Sequence, residues 1–190
     1  SNQNWNELKM KIKNRLFLLG AAMAVMSSSA FADTTGTQTF TANVTADTCT
    51  IANLQQVVDL GNVLKADFKK NVAGSTFYFA LGHGVDTTFE VTGCPTTITT
   101  VEATPTFTGH DTYVENTGTS TTSNIHLGRT KDGAQLPSTE FWTVGVKRNF
   151  MVNNKTGSVS IPVQGVLSSL SNTPMEGSLQ FNVTFAFDFV

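Results

Sequence analysis

Over residues 178–190 nearly every second residue is large and apolar. Leu179, Phe181, Val183, Phe185, Phe187 and Phe189 alternate with Ser178, Gln180, Asn182, Thr184, Ala186 and Asp188. Successive side chains of a strand point to opposite faces, so this spacing puts all six large residues on one face. A helix of the same sequence would scatter them around its axis, whereas a strand with one face against a core keeps them together. Burial of a Phe contributes about 1.5–3 kcal/mol, so the strip as a whole is worth on the order of 10 kcal/mol as an upper bound.

The rest of the chain continues in the same style. From residue 33 onward it is rich in Thr, Val and Phe, carries turn residues at short intervals and has little helical periodicity. Strands are expected over 39–51, 56–63, 75–81, 87–92, 99–107, 125–130, 142–150, 158–166 and 178–190. Strands of that number and spacing read as an all-β sandwich. Loops at 115–124 and 168–175 are rich in Gly, Asn, Ser and Thr, and neither is long enough to divide the chain into two domains. Residues 33–47 alternate more weakly, with Gly36, Gln38, Phe40, Ala42, Val44 and Ala46 on one face. Such an end reads as an extended strand with little packing of its own, free to pair with an open edge.

Lys11, Lys13 and Arg15 precede an apolar run at 16–26 that ends in Ser27-Ser28-Ser29-Ala30-Phe31-Ala32. That order is expected of a secretory leader at 10–32, with Met10 as start and 1–9 as upstream remnant. The run is shorter than the ~20 residues needed to span a bilayer, and no later stretch is long enough to do so. Without 1–32 the chain loses four cations and one anion, and its formal net charge goes from −2 to −5. Nucleic acid binding is therefore disfavoured. Cys49 and Cys94 are the only cysteines. In an exported chain they are expected to pair, a cross-link worth roughly 4 kcal/mol for a loop of this length.

Catalysis has little to build on. His83, His110 and His126 lie in different segments with no metal-ligand spacing, and no nucleophile elbow, phosphate loop or dinucleotide fingerprint is present. No catalytic residue, metal ligand or cofactor site is therefore expected. Tyr78, Tyr113 and Trp142 are candidate stacking platforms for a ligand, although such aromatics more often pack a core or an edge.

Several short motifs occur in a fixed order. Phe40 stands nine residues before Cys49, and Cys49-Thr50-Ile51 is followed by Val58-Asp59-Leu60-Gly61-Asn62-Val63. Phe89-Glu90-Val91 leads into Gly93-Cys94, and Ile125-His126-Leu127 precedes the turn Lys131-Asp132-Gly133-Ala134. Ile161-Pro162-Val163 comes next, and Gly177 opens the alternating strand with its penultimate aromatic, Phe189. This set resembles the chaperone-usher pilins, above all the major subunit of type 1 fimbriae. The resemblance implies an incomplete immunoglobulin-like β-sandwich lacking its final strand and completed by donor-strand exchange. Residues 33–42 would be the donor extension, carrying Thr34, Gly36, Gln38, Phe40 and Ala42, and 43–190 the pilin domain. Gly177, Phe181, Val183, Phe185, Phe187, Phe189 and Val190 would form the acceptor groove and the surface gripped by a periplasmic chaperone. An outer-membrane usher would then join neighbouring pilin subunits, in a homopolymer, into a fimbrium on the cell surface. The alternative within the family is a minor adaptor or tip-associated adhesive pilin that binds a host glycan or protein. Two positions depart from the pattern: Gln38 stands where the family is usually apolar, and Phe189 where it usually has Tyr.

Overall fold

The computed structural model describes residues 33–44, 49–70, 72–120, 122–172, 174 and 176–190, and the expected leader and upstream remnant lie outside them. Among the described residues there are twelve strands: β1 (Asp33–Val44), β2 (Thr50–Ile51), β3 (Gln55–Leu64), β4 (Phe68–Lys69), β5 (Tyr78–Thr92), β6 (Thr100–Thr106), β7 (Gly109–His110), β8 (Tyr113–Glu115), β9 (Ser123–His126), β10 (Arg148–Met151), β11 (Val159–Ser169) and β12 (Gln180–Phe189). Two single turns of 3-10 helix, Lys65–Asp67 and Ser138–Glu140, are the only helical segments among them. The chain is an all-β sandwich.

One sheet has five strands in the order β10-β6-β12-β1-β3, and the other seven in the order β2-β5-β11-β9-β8-β7 with β4 added on β5. Neighbours pair antiparallel with one exception, since β1 runs parallel to β12. The alternating C-terminal segment is a central strand. Its Phe181, Phe185 and Phe187 are fully buried and Phe189 is nearly so, while Gln180, Asn182, Thr184, Ala186 and Asp188 on its other face are half-buried.

The core lies between the sheets and centres on Phe185. Its ring centroid is 5.3 Å from Phe89 of the facing sheet, 5.0 Å from Trp142 and 6.0 Å from Phe40 of β1. Edge-to-face and tilted pairs of this kind add to the area term. Trp142 is fixed by an Nε1–H bond of 3.0 Å to the Pro162 carbonyl. Cys49 and Cys94 form a disulfide, with Cα atoms 4.4 Å apart, that fastens the start of β2 to the end of β5.

The short strands β4, β7 and β8 were not expected, the strand expected at 125–130 lies at Ser123–His126, and three further segments differ from the sequence-based expectation. The strands expected at 75–81 and 87–92 are one continuous strand, β5, with a register shift opposite Val166 and Leu167. Gly82 adopts a φ of +82°, and a Cβ on Gly84 would lie 2.1 Å from the Gly165 carbonyl oxygen. The glycines that read as a break are therefore what lets the strand bulge and continue. The segment 142–150 forms a strand only from Arg148, after Gly145 at a φ of +73°. The segment 39–51 divides: β1 belongs to one sheet and β2 to the other.

Candidate functional site

β1 fills a slot in the five-stranded sheet between the central strand β12 and the edge strand β3. On one side its residues Thr37 to Val44 pair with Gln180 to Phe187 of β12, and on the other Asp33 to Thr41 pair with Leu64 to Gln55 of β3. Without β1, β12 and β3 would face each other across an open slot with unpaired backbone groups on both lips. The β12 lip carries the expected groove residues Phe181, Val183, Phe185, Phe187 and Phe189 along one apolar face, and the expected donor residues Gln38, Phe40 and Ala42 of the same chain lie opposite Phe181, Val183 and Phe185.

Phe40 is the anchor of this insertion. It is fully buried, lies opposite Val183 and packs against Phe185. In the single chain it therefore belongs to its own core, whereas the donor assignment put it in a neighbour's. The Thr41 and Thr184 hydroxyls bond across the strands at 3.1 Å. Gln38 lies opposite Phe181 and Val58, is fully buried, and neither its Nε2 nor its Oε1 has a hydrogen-bond partner. An unpaired buried amide of this kind destabilises by roughly 1–3 kcal/mol. For Thr34, Gly36 and Ala42 the backbone positions are opposite Val63, Gly61 and Phe185 respectively, and the β1–β3 register shifts between Gly36 and Thr37. β1 continues two residues past Ala42, to Val44.

The two ends of β12 are held differently. At its start, Asn116 acts as a clip that the sequence reading missed. Its Oδ1 accepts from the Gln180 N–H at 2.6 Å, and its Nδ2 donates to the Ser178 carbonyl at 2.9 Å. Gly177 is pressed on the same loop, where a Cβ would lie 2.4 Å from Thr119 Oγ1 and 2.6 Å from the Ser120 nitrogen. The Asn-Thr-Gly order at 116–118, a turn signal next to a strand, was the available clue. At its far end, the Val190 oxygen accepts from the Thr99 and Thr100 N–H groups at 2.9 and 3.0 Å. Val190, expected in the surface gripped by a chaperone, is thus engaged by β6 and the turn before it.

The fold brings His110 and His126 to either side of β8, both stacked on Tyr113, while His83 lies elsewhere, on β5. His83 lies on β5 with its Nδ1 2.7 Å from the Leu60 carbonyl and its Nε2 3.3 Å from Asp67. His126 stacks on Tyr113 with centroids 4.4 Å apart, and its Nδ1 meets the Thr112 hydroxyl at 2.9 Å. Burial, aided by Arg129, lowers His126 from 6.5 to about 4 against the opposing effect of a hydrogen bond at Thr112, so its ring is neutral at pH 7. Burial likewise raises the Tyr113 hydroxyl above its usual range and lowers Arg148. Tyr78 is half-buried under Lys70, and Trp142 is a core residue covered by Arg148 at 4.2 Å. Among the described residues no three His, Cys, Asp or Glu side chains gather as a metal site, and no helix is long and apolar enough to cross a membrane.

No family model matches the sequence, and no curated protein is significantly similar to it.

Proposed function

We propose that the chain is a structural subunit of a chaperone-usher fimbria, an immunoglobulin-like pilin that polymerises when β1 of one copy fills the slot of the next. The observation that carries this reading is the slot itself. A ten-residue apolar strand, β12, is completed by the N-terminal strand rather than by one contiguous in the fold, and the fit is imperfect. Parallel pairing is slightly less stable per residue than antiparallel pairing, and Gln38 is buried without partners. An occupant held this way can be displaced by a better strand, by the physics of β-augmentation. A chaperone strand during export and a neighbour's β1 in the fibre are the occupants implied by the resemblance. The role is structural, with no catalysis, and the place of work is the cell surface.

The test is to incubate the purified chain at high concentration and look for ladders that resist detergent without boiling. A labelled peptide of residues 33–44 should also be taken up, and should cap the ladders when present in excess. A chain that stays monomeric and takes up no peptide, even after transient exposure to denaturant, would remove the reading.

A further inference from the structure

We propose that the open cleft at the β7–β8–β9 end of the seven-stranded sheet binds a neutral saccharide, gripping neighbouring ring hydroxyls between Glu115 and Asn124. The cleft measures about 360 Å³ and is lined by His110, Tyr113, Glu115, Ser123, Asn124 and Leu170 among others. Its shape comes from a two-residue turn between β7 and β8. His110 pairs with Tyr113 across that turn, Asp111 takes a φ of +50°, and a Cβ on Gly109 would lie 2.0 Å from the Tyr113 carbonyl oxygen. Only glycine lets the two strands approach so closely at that point.

On this frame rings gather around Tyr113: His126 with centroids 4.4 Å apart, Phe77 at 5.0 Å and His110 at 5.5 Å. His110 is exposed. Beside these rings Glu115 lies directly opposite Asn124. The Glu115 carboxylate has no ion pair or hydrogen bond with any described residue. The Asn124 Oδ1 accepts from the Ser168 hydroxyl, which turns the amide so that its NH₂ remains a donor. A free acceptor and an oriented donor on directly paired residues suit two adjacent hydroxyls, one donating and one accepting. The exposed imidazole of His110 and the side chain of Leu170, 66% exposed, offer apolar surface for the ring's C–H face.

The carboxylate of Glu115 brings negative charge into the cleft, which disfavours an anionic ligand and leaves a neutral sugar rather than an acidic one. The cleft belongs to the sheet that does not hold the β1 slot, so it stays open whichever strand fills that slot. In a polymer it would recur once per subunit, and weak sites repeated along one body bind a sugar-coated surface far more tightly than any one alone.

The experiment is saturation-transfer NMR of the purified chain with free galactose, glucose, mannose, fucose, N-acetylglucosamine and N-acetylgalactosamine, followed by titration of whichever responds. The expected result is saturable binding of at least one with a millimolar Kd, weakened about tenfold or more in both Glu115→Ala and His110→Ala. Glu140→Ala, outside the cleft, should leave it unchanged. Unfolding midpoints equal to that of the parent chain would show that the cleft variants are folded. Absence of saturable binding by every sugar, or binding that persists unchanged in the two cleft variants, would overturn the proposal. Neither outcome depends on polymerisation, because a single folded chain carries the whole cleft.

Discussion

Replacing Gln38 by Leu tests whether β1 is a displaceable occupant. The two side chains are similar in size, and the wild-type amide is fully buried opposite Phe181 and Val58 with neither polar atom paired. Removing the unpaired amide should relieve its desolvation cost, so the monomer should gain about 1–3 kcal/mol. With a urea slope of about 2 kcal/mol per molar, the unfolding midpoint should rise by about 0.5–1.5 M. If exchange requires β1 to leave its slot, the same free energy reduces the open population. Uptake of a wild-type 33–44 peptide should then slow by about 5- to 150-fold, since each 1.4 kcal/mol is a factor of ten. Using the wild-type peptide leaves the invading strand unchanged, so only the resident one differs. A midpoint that stays or falls would refute the idea that Gln38 weakens the insertion. A raised midpoint with unchanged uptake would show that exchange does not pass through release of β1.

Phe40→Ala should lower the monomer's stability by about 3–4 kcal/mol, read from urea unfolding, because it empties the site beside Phe185; an unchanged midpoint would mean that β1 is not part of the chain's own core. Acid should weaken the fold through His126, whose folded value of about 4 lies below the ordinary 6.5. The unfolded chain binds more protons between those values, so this contribution is complete above pH 6.5 and is lost as pH falls toward 4, by up to about 3 kcal/mol. His126→Phe should flatten the unfolding midpoint over that pH range, and a profile as steep as before would reject the assignment. Cys49→Ser with Cys94→Ser should cost about 4 kcal/mol for a sequence separation of 45, with thiol quantification under denaturant giving none in the parent chain.

The strongest period in the sequence led to the strongest element. The alternation at 179–189 gave β12, its buried face and the core around Phe185 without reference to any other segment. Weaker elements failed where glycine has two meanings. Gly82 and Gly84 punctuate the sequence like a turn, yet β5 runs through them because a bulge needs the same freedom. Residues 142–150 carry strand-like Val and Phe, but Trp142 is drawn down into the core and Gly145 turns the chain, so the strand begins only at Arg148. At the slot, the partners on both sides of β1 were readable as strands, β12 by its alternation, but the direction of insertion was not. A strand's face pattern is the same read forward or backward, so parallel and antiparallel pairing look alike until β1 is seen beside β12. The Asn116 clip was half hidden: the Asn-Thr-Gly order marks a local turn, but the two bonds that hold β12 go to backbone atoms more than sixty residues away, which that order does not encode.

The two ends of β1 are not equally free to move. Residues 33–36 precede the first β12 pair, at Thr37, and are held by the β3 ladder alone, with the register shift just behind them. Only residues 45–48 separate the other end from Cys49, which the disulfide bolts to β5. In the proposed exchange, release of β1 begins at residues 33–36, which pair with β3 alone, and passes the unpaired Gln38 before the Phe40 anchor comes out. An invading strand would gain its toehold there and advance residue by residue. The displaced strand meanwhile stays on a short leash and competes for its old place as though present at millimolar concentration. Unassisted replacement is then a slow branch migration, and a machine that holds the slot open before the leash can close would set the pace of any assembly built from this chain.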